Sequence, residues 1–206
     1  SQSATAANMQ IKSPAKQAIL IDHATGTILF EKNSEQAMAP SSMSKLMTLY
    51  ILFTHLNDGS LSMDDTFPVS KKAWQMGGSK MFVSINTQVK ISDLIRGIIV
   101  QSGNDACIVV AEGISGDEAA FALQMNEIAR KIGMLDSYFV NSSGWPHPEH
   151  VTTAKDLSIL MRLMIDKFPK LYQIFSERSF TYSKIRQSNR NPPVSYTHLT
   201  LPTSDL

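Results

Sequence analysis

The patterned part of the chain begins with two short apolar runs on either side of a turn. Residues 18–21 and 27–30 are apolar and partly β-branched, and Gly26 lies in the segment that separates them. Apolar, β-branched side chains favour strands, and glycine tolerates the positive φ that tight turns often need. The pattern predicts an antiparallel hairpin near the amino end of the chain.

A strongly apolar stretch without glycine or proline follows, from Met43 to His55. Its apolar positions fall on nearly every side of a helix, which is typical of a buried helix rather than an amphipathic surface one. Pro40 cannot continue a helix backwards, and a serine side chain can cap a helix start. We therefore predict a buried helix over 43–55, capped by Ser41 or Ser42.

Later segments predict more helices, after a loop-rich region at 58–90. Ser92 and Thr153 are expected to cap two of these helices, and Gly113 and Gly133 to end two others. The expected helices cover residues 93–100, 105–112, 118–132 and 154–166, and a strand is expected at 179–185. A hairpin followed by helices and a late strand favours an α+β fold over alternating β-α units.

Composition narrows the class of protein. The 206 residues are 43% hydrophobic and 18% charged, a globular balance that suits one sizeable core. A net charge of +1 gives no electrostatic case for nucleic acid, and no nucleic-acid partner is expected. No apolar run reaches eighteen residues, so no transmembrane helix is expected.

Cysteine and histidine positions argue against a metal or disulfide centre. The single cysteine, Cys107, cannot form an internal disulfide, and its apolar neighbours favour a buried, inert thiol. His147 and His150 stand three apart in a proline-rich loop, without the helical spacing of two ligands on one face. We interpret this segment as a surface loop, and expect neither metal nor cofactor.

The first candidate for chemistry is the pair Ser42 and Lys45. Residues three apart at a helix start lie on one face, so the amine can reach the hydroxyl. A lysine among apolar residues loses hydration, which favours the neutral amine that a serine nucleophile needs as its base. Ser13 and Lys16 have the same spacing without a helix behind them, which shows that the spacing alone is not specific. The competing interpretation of Ser42 is a plain helix-capping serine.

The second candidate is the pair Ser102 and Asn104, between two predicted helices. A hydroxyl there could relay protons, and an amide could hold a substrate peptide group. Ser84 and Asn86 repeat this spacing, and serine or asparagine between helices often serves as a cap.

The two pairs in this order resemble the serine penicillin-binding and β-lactamase group, whose third element is Lys-Thr-Gly. Residues 40–48 and 94–107 are closer still to the low-molecular-mass D-Ala-D-Ala carboxypeptidases, and residues 21–29, 121–126, 143–144 and 186–191 also fit. The resemblance covers residues 14–191, most of the chain.

This resemblance implies a β-lactamase/transpeptidase-like α+β fold, with a helical cluster packed on an antiparallel sheet. It implies that Ser42 attacks the bond between two D-alanines of a peptidoglycan stem peptide, with Lys45 as base. Ser102 would pass a proton to the leaving amine, and Asn104 would hold the substrate amide. β-Lactams would acylate Ser42, and the location would be extracytoplasmic, in the periplasm or cell envelope.

The chain departs from the family pattern near its carboxyl end. No Lys-Thr-Gly, Lys-Ser-Gly or His-Thr-Gly occurs, although the family places this motif shortly after the segment matching 189–191. We expect a flexible segment at 1–13, an incomplete catalytic domain at 14–191 and an unpatterned tail at 192–206, which is either a disordered tail or foreign, non-native sequence. The C-terminal strands and the family's membrane anchor would be missing. In the family, the strand that carries Lys-Thr-Gly supplies one backbone donor of the oxyanion hole, and loss of one such donor costs on the order of 10²–10³ in rate.

Two alternatives stay open. A truncated remnant could bind peptidoglycan or β-lactams without turnover. A class A β-lactamase would use a glutamate-activated water, but no Glu-x-x-Leu-Asn pattern follows Asn104.

Overall fold

The computed structural model describes residues 11–191 of the chain. The predicted tail at 192–206 lies outside the described residues, as does most of the predicted flexible segment at 1–13. Between residues 11 and 191, no helix combines the length and the apolar character needed to cross a bilayer.

Helices and short antiparallel sheets alternate irregularly along the described residues, as the α+β prediction requires. The helices are α1 (Lys45–Asn57), α2 (Lys71–Gln75), α3 (Ile91–Gln101), α4 (Asn104–Ser115), α5 (Glu118–Ile132), α6 (Ala154–Lys167) and α7 (Pro169–Tyr172). The strands are β1 (Ala18–Ile21), β2 (Ile28–Lys32), β3 (Thr66–Pro68), β4 (Gln88–Lys90), β5 (Ser179–Tyr182) and β6 (Ile185–Ser188). They pair as three separate two-stranded sheets, β1–β2, β3–β4 and β5–β6.

The predicted hairpin is present as β1 and β2. The side chain of Asp22 accepts hydrogen bonds from the backbone N–H and the hydroxyl of Thr25, both at 2.8 Å. Gly26 takes a positive φ of 75° and its N–H donates to the Asp22 carbonyl. β1 packs against α6, which places the hairpin beside the helical cluster.

Helix α4 lies at the centre of the core. Its first eight residues are all buried, and it contacts α1, α2, α3 and α5. The predicted end at Gly113 is wrong, because α4 continues to Ser115 and ends at Gly116. Gly113 serves close packing instead, since a Cβ there would stand 2.3 Å from the Phe67 ring.

Two predicted helix caps are wrong because the backbone supplies the partners. A 3-10 turn, Ser41–Ser44, precedes α1 without any side-chain cap, and the Met43 N–H donates to the Pro40 carbonyl. Helix α3 begins at Ile91 directly after β4. Its first N–H groups donate to carbonyls of a neighbouring loop, from Ile91 to Asp65 and from Ser92 to Met63. The predicted cap on α6 is confirmed, because the Thr153 hydroxyl accepts from Asp156 N–H at 3.0 Å.

Two stretches contain more structure than their patterns predicted. The region 58–90 was expected to be loop-rich, yet it holds β3, α2 and β4. The single strand expected at 179–185 is a hairpin, β5–β6. Its turn residues Ser183 and Lys184 have φ of 48° and 64°, the left-handed pair of a tight hairpin turn.

Candidate active site

The Ser41–Ser44 turn presents Ser42 at the start of α1. Ser42 is exposed, whereas Lys45, the first residue of α1, is only 5% exposed. One helical turn therefore joins an open hydroxyl to a buried amine, as the three-residue spacing predicted.

Lys45, Ser42 and Ser102 form a triangle of polar atoms. The Lys45 Nζ donates to Ser102 Oγ at 3.1 Å and to Ser42 Oγ at 3.3 Å. The Ser102 hydroxyl donates to Ser42 Oγ at 3.4 Å. The structure thus brings together two hydroxyls that lie 60 residues apart in sequence, with one amine in reach of both.

The environment of Lys45 favours its neutral form. Burial lowers the pKa of its amine, a Cys107 thiolate would raise it in part, and the Arg190 guanidinium lowers it further. Cys107 is fully buried, as predicted, and burial raises the pKa of its thiol to about 12. That thiol is therefore neutral and unreactive at physiological pH.

Ser102 reaches this triangle through an unusual backbone. It ends α3 in the left-handed region, at φ 52° and ψ 41°, and the following Gly103 N–H donates to the Gly97 carbonyl at 2.9 Å. A non-glycine residue there costs roughly 1–2 kcal/mol. The turn brings the Ser102 hydroxyl within hydrogen-bonding distance of both Lys45 and Ser42.

Asn104 begins α4 and connects the site to the loop at 77–83. Its side-chain Nδ2 donates to the Gly77 carbonyl at 3.0 Å, and its backbone N–H donates to the Ser79 carbonyl at 2.8 Å. The next residue, Asp105, accepts from the N–H groups of Met81, Phe82 and Val83 at 2.9–3.1 Å. This loop is therefore tied to the segment that carries Ser102.

Sequence analysis missed Asp105 and Arg190. The signal for Asp105 was a carboxylate directly after the Ser102–Asn104 segment, where its partners are backbone groups that a sequence does not show. Arg190 donates to Ser79 Oγ, and its own N–H donates to the Val100 carbonyl, which brings its charge to the site. The match at residues 186–191 included Arg190 without assigning it a role.

The surface-loop interpretation is right for His147 and wrong for His150. His147 is exposed, but His150 is 3% exposed and its Nε2 lies 2.9 Å from Ser44 Oγ. Within residues 11–191, no group of three or more histidine, cysteine, aspartate or glutamate side chains is arranged to hold a metal ion.

The sequence matches a known protein family. A sequence model described as D-alanyl-D-alanine carboxypeptidase matches residues 2–202. The chain belongs to the D-alanyl-D-alanine carboxypeptidase family.

Several curated members of this family are similar to the chain. It is 36% identical over 197 residues to the D-alanyl-D-alanine carboxypeptidase DacC of Escherichia coli (strain K12), covering 91% of this chain and 49% of that protein. It is 37% identical over 180 residues to DacA of Haemophilus influenzae, covering 86% of this chain and 46% of that protein. The chain therefore spans about half the length of the curated relatives it matches.

Solved structures of this family share the fold. The D-alanyl-D-alanine carboxypeptidase DacD from Francisella tularensis superposes with a TM-score of 0.85 at 36% identity, covering 92% of this chain and 46% of that one. Penicillin binding protein 5 from Haemophilus influenzae also gives 0.85 at 36% identity, over 89% of this chain and 55% of that one. These neighbours confirm the predicted β-lactamase/transpeptidase-like fold class.

Proposed function

We propose that this chain carries the acyl-enzyme chemistry of a serine D-Ala-D-Ala carboxypeptidase, with Ser42 as nucleophile and Lys45 as its base. The observation that carries the proposal is the Lys45 amine, buried, with a lowered pKa, and 3.3 Å from the Ser42 hydroxyl. A serine nucleophile needs an adjacent general base, and desolvation increases the share of neutral amine that can act as one.

The proposed reaction has two stages. Ser42 Oγ attacks the carbonyl between two D-alanines while its proton passes to the neutral Lys45 amine. As the peptide bond breaks, Ser102, 3.1 Å from that amine, gives its proton to the nitrogen of the departing D-alanine and takes one from Lys45, which returns to its neutral form. Water hydrolyses the resulting ester and regenerates the Ser42 hydroxyl.

Substrate contacts are proposed at Asn104 and Arg190. The side-chain carbonyl of Asn104 accepts no hydrogen bond from residues 11–191, while its Nδ2 is held by Gly77, so the oxygen suits a substrate peptide N–H. The exposed Arg190 supplies positive charge beside the same site, suited to the terminal carboxylate of the peptide.

The partners and location follow from the same proposal. The substrate would be a peptidoglycan stem peptide that ends in D-Ala-D-Ala. β-Lactams would acylate Ser42 as substrate mimics, in keeping with the name of the penicillin binding protein 5 neighbour. Because peptidoglycan lies outside the cytoplasmic membrane, the proposed location is the periplasm or cell envelope.

The direct test is release of D-alanine from a synthetic peptide ending in Lys-D-Ala-D-Ala, followed by an enzymatic D-alanine assay. We expect release by the chain and by Ser13→Ala and no release by Ser42→Ala, and the mass of the matched L-Ala-L-Ala peptide should stay unchanged. Release by Ser42→Ala at the parent's rate would sink the proposal. One equivalent of D-alanine per chain, with Ser42 left acylated and no further release, would indicate a protein that binds without turnover.

A further inference from the structure

The loop at 141–150 lies directly against the turn that carries Ser42. Three contacts join them. The Thr48 hydroxyl donates to the Ser142 carbonyl at 2.6 Å, Gly144 lies against Ser41, and His150 meets Ser44. The loop therefore contacts both the turn and the first part of α1.

Gly144 shows how close this contact is. Its φ is 83°, and a Cβ there would stand 1.7 Å from the Ser41 carbonyl oxygen, far inside any possible contact. Ser41 itself has a positive φ of 50°. Backbone meets backbone at this point, so the loop and the turn have to hold one relative position.

His150 makes the one side-chain to side-chain bond in this contact. Its ring packs edge-on to Phe139, with ring centroids 5.6 Å apart, and its Nδ1 accepts from the Val140 N–H at 3.4 Å. With Nδ1 as acceptor, the proton of the neutral ring is assigned to Nε2, which donates to Ser44 Oγ at 2.9 Å.

Burial keeps this ring neutral. Burial, with a smaller effect from the charge of His147, lowers the pKa of His150 to about 4. Ser44 is fully buried as well, so the bond is shielded from water on both sides. A buried hydrogen bond of this kind is costly to break, because both groups would lose their partner without gaining solvent.

We propose that His150 is a positioning residue for the proposed reaction, because its bond to Ser44 fixes the Ser41–Ser44 turn and thereby the distance between Ser42 Oγ and Lys45 Nζ. This inference rests on the proposed function. Ser44 is the link, since it lies in the turn between Ser42 and Lys45 and is the residue that His150 holds.

The kinetic test is a double-mutant cycle on the second-order rate of acylation by benzylpenicillin. His150→Phe keeps the ring volume and loses the donor, and Ser44→Ala loses the partner. Each is expected to slow acylation on the order of 10²-fold, the cost of about 1 Å of misplacement. The double variant should be no slower than either single one, because both remove the same bond. His150→Gln, whose Nε2 can donate in the same place, should recover part of the rate.

His147→Phe is the matched control, since His147 is exposed in the same loop, and it should acylate at the parent's rate. Effects of His150→Phe and Ser44→Ala that multiply in the double variant would overturn the inference. So would a parent rate in a folded His150→Phe chain.

A second measurement works even on a chain that is never acylated. The pKa of the Lys45 amine, followed by NMR titration of its side-chain carbon, should rise in His150→Phe and Ser44→Ala, because a looser turn admits water. It should not move in His147→Phe. An unacylated parent with this shift would refute the proposed function and support the positioning role. An unchanged Lys45 pKa in folded His150→Phe and Ser44→Ala would refute the positioning role alone.

Discussion

Two serine-lysine pairs with one spacing have opposite surroundings in this molecule. Ser13 and Lys16 lie in an irregular segment before β1, where the Ser13 hydroxyl accepts from the Ala15 N–H and Lys16 is exposed. Ser42 and Lys45 lie at the start of a buried helix, with the amine in contact with two hydroxyls. The spacing is the same, so the difference comes from what lies behind the lysine.

The two serine-asparagine pairs show the same contrast in their surroundings. Ser84 and Asn86 are exposed in the turn before β4, where Asn86 has a positive φ of 59°. Ser102 and Asn104 instead join α3 to α4, and α4 is the most buried helix of the core. A short motif becomes a candidate site only where the core removes water from one side of it.

The largest expected effect comes from removing the amine. Lys45→Met keeps an apolar stem of similar length and loses the proposed base, so acylation by benzylpenicillin should fall on the order of 10³-fold. Lys16→Met should leave the rate unchanged. Stopped-flow or quenched mass spectrometry measures both, and equal rates for the two variants would erase the contrast between the pairs.

A smaller effect is expected from removing the Ser102 hydroxyl, the proposed proton relay. Ser102→Ala leaves Lys45 and Ser42 in contact but removes the proposed donor to the leaving group, so D-alanine release should fall about 10²-fold. Ser84→Ala serves as its control in the same assay. If Ser84→Ala lost as much activity as Ser102→Ala, the surroundings of the second motif would not explain its role.

The smallest expected effect is a shift in pH dependence. A protonated Lys45 cannot act as the proposed base, so the acylation rate should rise with pH as the amine loses its proton, through a pKa below the ordinary 10.5. Arg190→Gln removes a positive charge that lowers this pKa, so the acidic limb of the curve of acylation rate against pH should move to higher pH. A limb that moved to lower pH would contradict the assigned electrostatics.

Local signals explain which helices could be predicted from sequence. Helix α5 has the predicted bounds because Asp117 caps its first turn and Gly133 takes the left-handed conformation at its end. Gly113 gave the same stop signal inside α4, but it faces the Phe67 ring, a contact that only the folded chain provides. The Ser183–Lys184 turn lacks the usual Asn-Gly signature, so the sequence predicts one strand where the structure has the β5–β6 hairpin.

The site residues also differ in whether the sequence predicts them. Ser42, Lys45, Ser102 and Asn104 were predicted from motif order and resemblance, and the structure places the first three in mutual contact. The burial of His150 could not be predicted, because its partner Ser44 lies 106 residues away. Charges that act at a distance, such as Arg190 on Lys45, leave no local pattern in the sequence.

The central claim is that the buried Lys45 makes Ser42, and no other serine, a nucleophile. Intact mass after incubation with benzylpenicillin, followed by peptide mapping, tests it most directly. We predict one penicilloyl group, located on Ser42, and no adduct on Ser42→Ala. A folded chain that gains no adduct, or that carries it on another residue, would contradict the claim.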